Sequence, residues 1–270
     1  MKFIHLTDTH VSTGALHGSD PLARLEGAVA SINAEHGDAE FVVVTGDLVD
    51  AGDLPSYVAF RERIGALKMP VHLMVGNHDR TPALVEAFPD VPRDDSGAVQ
   101  CSFSTSEGRF ILLDTLRPGT DAGTLNAARR NWLRKELEAD DQPVFLFMHH
   151  PPFPIGIPGL DVIALEEPEL FYDVVAPHKS RIRHLFFGHV HRAIWGTWRG
   201  IPFSCMRGLN HQVALELGGP EDKVTGSKEP PAYGVVLVGQ DQVTVHLHDY
   251  TPVSYTHLTL PTKVLVWRWR

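Results

Sequence analysis

Five short segments combine cation-binding side chains with residues that break regular structure: Asp8-Thr9-His10, Gly46-Asp47, Gly76-Asn77-His78-Asp79, His149-His150-Pro151-Pro152 and Gly188-His189-Val190-His191. Each follows a short apolar run, so each offers an Asp, Asn or His where a strand ends. Collected, Asp8, His10, Asp47, Asn77, His149, His189 and His191 supply carboxylates, imidazoles and one amide oxygen, with no thiolate. That set accepts Mn, Fe, Zn or Co alike. So many donors exceed what one ion with an open position needs and suit two ions sharing a ligand. A carboxylate bridges best, because it has two oxygens and a charge that offsets cation repulsion. Asp47, on what reads as the central strand, is the candidate bridge. Two divalent ions outweigh two aspartates and a bridging hydroxide, so a phosphate oxyanion is drawn in. Ions roughly 3.5–4 Å apart can activate a shared water and clamp a phosphoryl group for in-line attack.

The elements that must hold these groups follow in order. Lys2–Leu6 reads as a strand. Asp20-Pro21 caps a helix to about Ala34, with Leu22, Leu25, Val29 and Ile32 on one face. Phe41–Val44 is a β-branched run suited to a strand buried on both faces. Leu54-Pro55 opens a helix carrying Tyr57, Phe60, Ile64 and Leu67, and Val71–Val75 reads as a third buried strand. Strand and helix alternate, which predicts a parallel sheet with its ligands at the strands' carboxyl ends. In Gly76–Asp79 the glycine is expected to let the chain turn.

Further on, Val99–Thr105 and Arg109–Leu113 form an expected hairpin, and Asn126–Leu137 and Glu167–Val175 expected helices. Val144–Met148 and Arg183–Phe187 are strands delivering the histidine motifs. Phe153–Gly159, rich in Pro and Gly, is a candidate pocket wall or lid. Trp195–Trp198, Pro202–Met206, Gln212–Leu217, Tyr233–Val238 and Gln242–His248 read as antiparallel strands, with Gly218–Pro231 a loop. Thr251–Arg270 fits none of this. We read residues 1–250 as one domain and 251–270 as a tail outside the fold, with non-native sequence one origin for it.

The chain has 270 residues, 24 Lys plus Arg and 33 Asp plus Glu, a formal charge of −9. An acidic chain gets no general help in binding a long polyanion, which argues against long nucleic acid and for a small substrate at one local site. No apolar run approaches the ~20 residues needed to cross a bilayer, and no signal peptide is expected, so a cytoplasmic location is the default. Cys101 and Cys205 stand alone and read as reduced core residues.

In that order, Asp-x-His, Gly-Asp, Gly-Asn-His-Asp, His-His-Pro-Pro and Gly-His-x-His resemble the calcineurin-like metallophosphoesterases, from about Phe3 to His191 and less clearly to Tyr250. The short loops and the Met-His-His-Pro-Pro form are most similar to bacterial class III cyclic nucleotide phosphodiesterases and glycerophosphodiesterases. The resemblance implies an α/β fold, a four-layer αββα sandwich of two mixed β-sheets flanked by helices. It implies one metal held by Asp8, His10, Asp47 and His191, and another by Asp47, Asn77, His149 and His189. It places His78 against the phosphate as substrate contact or proton donor. The activity it implies is hydrolysis of a small phosphodiester, 3′,5′-cyclic AMP best of all, through a metal-bridging hydroxide. A glycerophosphodiester is the near alternative, and a broad-specificity phosphomonoesterase a further one. A regulatory protein that kept the site without turnover is disfavoured, because the ligand set is complete.

His149 and His150 both satisfy His-x-Pro; His149 comes first after the strand and is the expected ligand, with His150 behind it. Asp79 is expected to brace its loop. Arg80 and Arg207 leave a clamp for a phosphate dianion open. His211 is a candidate for the pocket rim and for substrate contact, and His5 and His72 are expected to pack in the core. His17, His36, His178, His184, His246, His248 and His257 read as ordinary surface or packing histidines. Substrate choice is assigned to the loops Ser12–Ser19, Phe153–Asp161 and Gly208–Gln212. Strands after Pro202 could pair in a homodimer.

Overall fold

A computed structural model describes residues 1–251. The tail expected from residue 251 onward, with His257, lies outside the described residues save for Thr251. In chain order the elements are β1 (Lys2–Leu6), α1 (Pro21–Glu35), β2 (Val42–Val44), α2 (Leu54–Ile64), β3 (Val71–Leu73), α3 (Thr81–Ala87), β4 (Cys101–Thr105), β5 (Gly108–Leu112), α4 (Ala127–Glu138) and β6 (Val144–Phe147). They continue with α5 (Pro158–Asp161), α6 (Pro168–Val175) running into a 3₁₀ turn (Ala176–Arg181), β7 (Ile182–Phe187), β8 (Ile194–Trp198), β9 (Ile201–Cys205), β10 (Gln212–Val213), β11 (Gly226–Ser227), β12 (Ala232–Val238) and β13 (Val243–Asp249). Among the described residues no helix is long and apolar enough to cross a membrane.

The strands form two large mixed sheets, ordered β13-β12-β1-β2-β3 and β4-β5-β6-β7-β9-β8. Side chains on a strand alternate between faces, and here both faces are apolar. In β1, Phe3 points between the sheets while Ile4 and Leu6 point toward α1 and α2. In β6, Phe145 and Phe147 point between the sheets while Val144 and Leu146 face α4 and α6. Three apolar cores therefore separate four layers, helices–sheet–sheet–helices, the expected αββα sandwich. The middle core is aromatic: Phe110 stacks on Phe145 at 4.6 Å and Phe147 on Phe186 at 4.8 Å. Helix starts follow their caps, since the Asp20, Asp53 and Asn126 side chains accept from backbone N–H groups three residues on.

Several expectations change. β3 is half-buried, because it forms an edge of its sheet and lacks a neighbour on one side. The centre of that sheet is β1 rather than β2. β9 runs parallel to β7 and only β8 is antiparallel to it, so the late strands are not all antiparallel. The stretch expected as a strand over Gln212–Leu217 pairs only at Gln212–Val213, with β11 inside the expected loop. Helix α3 had no counterpart in the sequence reading. His5 and His72 do pack inside, His5 against Phe186 and His72 stacked on Phe103 at 4.0 Å, and both cysteines are free.

Phe110 is fully buried and touches aromatics of both sheets. Phe110→Ala should therefore cost about 3–5 kcal/mol of stability in denaturant titration, as a buried aromatic truncation does when its cavity cannot collapse.

Candidate metal centre

Parallel pairing places the motif loops side by side. Leu6 pairs with Val44, so the loops leaving β1 and β2 bond directly: Asp8 N–H donates to Gly46 O (3.2 Å) and His10 N–H to Asp47 O (2.9 Å). In the other sheet Phe147 pairs with Phe186, and Gly188 N–H donates to His149 O (3.1 Å). The two sheet edges are stitched together where they meet. His189 N–H donates to Asp8 Oδ1 (3.1 Å) and His149 Nδ1–H to Thr45 O (2.7 Å).

The seven expected ligands converge there. Donor atoms of Asp8, His10, Asp47 and His191 all lie within 4.8 Å of one another. Asn77 Oδ1 sits 3.1 Å from His149 Nε2 and 3.0 Å from His189 Nδ1. Asp47 Oδ2 lies 3.4 Å from both His10 Nε2 and His149 Nε2, so this carboxylate joins the two groups. Metal–ligand bonds of about 2.0–2.2 Å at octahedral to tetrahedral angles put neighbouring donors roughly 2.9–3.5 Å apart, and the separations around Asn77 Oδ1 and Asp47 Oδ2 fall in that span.

Hydrogen-bond bookkeeping points the same way. His191 Nδ1–H donates to His211 O (2.8 Å), and His10 Nδ1–H to Asp50 Oδ1 (3.2 Å). Each ring thereby presents an Nε2 lone pair, and those two atoms face one another at 3.2 Å. Two lone pairs at that distance need a cation between them, a proton or a metal. His189 Nε2 is buried with no partner at all. The backbone is held in strain to achieve this: Asp8, His10, Asp47, His189 and His191 all take φ between 40° and 69°. Left-handed non-glycine residues cost of order 1–3 kcal/mol each and persist where function requires them.

Charges in the cluster are strongly coupled. Burial alone would lower the His149 imidazole, but the Asp47 carboxylate beside it raises it to about 9. Burial likewise opposes ionisation of Asp47, yet the same pairing holds it well below the usual carboxylate range. Burial and the His149 charge push His189 well down, leaving it neutral and able to ligate. Asp79 is raised to about 6 by burial and the nearby Asp47 charge.

The flanking residues take distinct places. Both His150 nitrogens are engaged, by Thr115 Oγ1 (2.8 Å) and Asp121 O (3.1 Å), so His150 is braced behind the site as expected. Asp79 accepts from Gly76 N (2.9 Å), Leu48 N (3.2 Å) and the Tyr57 hydroxyl (2.8 Å), tying the Asn77 loop to the Asp47 loop. Gly76 has an ordinary φ; its need is space, since a Cβ there would collide with Asp47 Oδ1 and His149. The chain does turn there, with Asp79 N–H donating to Gly76 O (3.3 Å), but the glycine is required for close approach and not for its φ. Arg207 bonds Pro230 O and Asp249, away from the site.

His78 N–H donates to Asp47 Oδ1 (2.9 Å), and its Nδ1–H to Asp50 O (2.7 Å). That leaves Nε2 as the free nitrogen of a side chain 38 % exposed. Asn77 and His78 line an open cavity of about 930 Å³ walled by Arg80–Ala83 and by Leu116–Asp121. Neither Phe153–Asp161 nor His211 lines it. Asp161 caps Ile155 and Gly156, and the His211 ring packs on His191 (4.3 Å) and His10 (4.7 Å), with His17 against its far side (4.6 Å). Sequence reasoning missed Asp50, Thr45, Thr115 and the 116–121 wall. Only Asp50 left a trace, a carboxylate three residues after Asp47.

A family description for calcineurin-like phosphoesterases matches residues 1–193, and the chain belongs to that family, which uses a dinuclear metal centre. A probable cyclic nucleotide phosphodiesterase of Rhodopseudomonas palustris is 45% identical over 252 residues, covering 91% of each chain. A probable glycerophosphodiester phosphodiesterase of Arcobacter nitrofigilis is 30% identical over 91% of this chain and 92% of its own. The fold is also that of a dimetal phosphatase from Danio rerio, with a TM-score of 0.70 at 16% identity over 92% of this chain and 96% of that one.

His149→Ala should remove about one equivalent of bound metal, whereas His150→Gln should keep both, as read by elemental analysis of dialysed protein. Metal and proton compete for His149. Its affinity for metal should therefore rise as pH climbs toward 9, and loading metal-depleted protein near pH 7 should release protons into weak buffer, fewer in His149→Ala.

Proposed function

We propose that this chain is a metal-dependent phosphodiesterase acting on a small phosphodiester, with a 3′,5′-cyclic nucleotide as preferred substrate. The observation that carries this reading is two donor groups, joined by Asp47, that open beside His78 into a cavity of about 930 Å³. Asp8, His10, Asp47 and His191 would hold one ion, and Asp47, Asn77, His149 and His189 the other. Bound there, the ions would supply a Lewis-acid clamp for the phosphoryl group and an acidified water to attack it.

The chain's own groups do the rest. Asp47 positions the His78 backbone while joining the two donor groups. Asp50 O fixes the His78 ring with Nδ1–H inward, so the ring can donate to the leaving group only through Nε2, and only as the imidazolium with both nitrogens protonated. We assign His78 to that role or to stabilising the charge developing on the leaving oxygen. Asn77 lines the same cavity and is neutral, which leaves its ion more electrophilic than a carboxylate would. His211 lies outside that cavity, packed on His191 and His10, and would contact only a part of the substrate that reaches over His10.

The cavity favours a nucleotide over a glycerol diester. Its volume lies at the upper end of small-ligand sites, and Leu116, Pro118 and Pro82 give apolar surface that a glycerol arm would not use. The relatives named as cyclic nucleotide and glycerophosphodiester phosphodiesterases support the diester class. A panel of 3′,5′-cyclic AMP, 2′,3′-cyclic AMP, glycerophosphoethanolamine and a phosphomonoester, assayed on metal-reconstituted protein, tests it; turnover confined to the monoester would overturn the reading. For His78, an alkyl leaving group needs a proton and an activated aryl one does not. His78→Ala should lose about 10²–10⁴-fold on an alkyl diester and far less on p-nitrophenyl diesters, while keeping both metals.

A further inference from the structure

We infer that Arg80, seated on Gly52 in a cavity that Asp121 also lines, is the residue that binds the organic arm of the diester, and that this arm is a nucleobase. The inference rests on the phosphodiesterase reading and names its substrate more finely. Arg80 lines the same cavity as Asn77 and His78. Its backbone N–H is fixed by the Tyr57 hydroxyl at 2.9 Å, the same hydroxyl that donates to Asp79. Its side chain lies over Gly52, whose φ is +65° and where a Cβ would collide with Arg80 Cγ and crowd Cδ and Nε. The stem is thus laid down on the loop that carries Asp50, while the guanidinium has no carboxylate partner among the described residues.

The other acids of this cavity do not answer it. Asp79 is spent on its loop and Asp50 on His10. Asp121 also lines the cavity, with its backbone carbonyl holding His150 and its carboxylate in no ion pair among the described residues. A guanidinium can only donate and a carboxylate only accept. A ligand arm that meets both and also fills this cavity carries acceptors and donors together with an apolar face for Pro82, Leu116 and Pro118. A nucleobase with an exocyclic amine, such as adenine, has those features: ring nitrogens that accept, an amine that donates, and a flat face on which Arg can also stack. A glycerol arm has hydroxyls that accept and donate, but no flat face to lie on these apolar residues or to stack on Arg80.

The test separates binding from turnover. Calorimetric binding of 5′-AMP and of methyl phosphate is compared in wild type and Arg80→Ala, with KM and kcat for 3′,5′-cyclic AMP and methyl p-nitrophenyl phosphate beside them. Arg80→Ala should weaken 5′-AMP about tenfold more than methyl phosphate, the loss of one charge-assisted contact. It should raise KM for cyclic AMP with little change in kcat. Gly52→Ala, which displaces the same side chain, should give a similar rise, and the double variant should add little to either single one. Arg80→Lys should recover only part, because it keeps charge but loses the fork. Equal weakening of 5′-AMP and methyl phosphate, or no change in either, would overturn the inference even if diesters are hydrolysed. Selective weakening of 5′-AMP in a protein that hydrolyses no diester would sustain this site and overturn the activity.

Discussion

The structure is organised around a demand for positive charge. Asp8, Asp47, Asn77 and four imidazoles aim acceptor atoms into one space, and His10 and His191 set their Nε2 atoms 3.2 Å apart. Hydrogen bonds from the opposite ring nitrogens to Asp50 and His211 O prevent either ring from relieving the other. In place of metal, protons partly meet that demand, which is why His149 is raised to about 9 beside Asp47. Ions satisfy it better, because each can engage several lone pairs at once.

Holding such a cluster requires a rigid frame. Five of its residues sit at positive φ, so the local backbone is a reservoir of strain. The surrounding cores oppose relaxation. β1, β2, β6 and β7 are buried on both faces, and the aromatic stack between the sheets fixes their separation. Because strands of both sheets end at one place, the cluster forms only when the two sheets are packed. Metal affinity and sheet packing are thereby coupled, and loss of the aromatic layer would loosen ligands from both sheets together.

Much of this was legible in the sequence, for identifiable reasons. β-branched runs such as Val42–Val44 have few alternatives to a buried strand, and Asp20-Pro21 and Asp53 with Pro55 mark helix starts through local chemistry. The candidate ligands stood out, and converge in the fold, because each occupies the same place relative to its strand. What escaped depends on long-range pairing. Whether β3 is central or at an edge, and whether β9 runs parallel to β7, are decided by partners far away in sequence. The cavity wall at 116–121 carries no motif and is set by His150 reaching Thr115 and Asp121. His17, read as an ordinary surface histidine, meets His211 only through the fold. Gly76 was recognised as necessary for the wrong reason: a missing Cβ and a permissive φ look the same in a sequence.

The link between metal and substrate runs through one short loop. Asp47 Oδ2 faces donors of both groups while its Oδ1 accepts the His78 N–H. Three residues on, Asp50 repeats the pattern: its carboxylate orients His10 and its carbonyl orients the His78 ring. The residues that orient the candidate ligands are therefore the ones that set the direction of the His78 ring. A displacement of the Asp47 carboxylate moves the His78 backbone with it, so the His78 ring keeps its register with the two donor groups. Asp79 closes the arrangement from below, since it ties Gly76 N to Leu48 N and keeps the two loops from sliding apart. A side chain that ligates nothing thereby fixes the distance on which the chemistry depends.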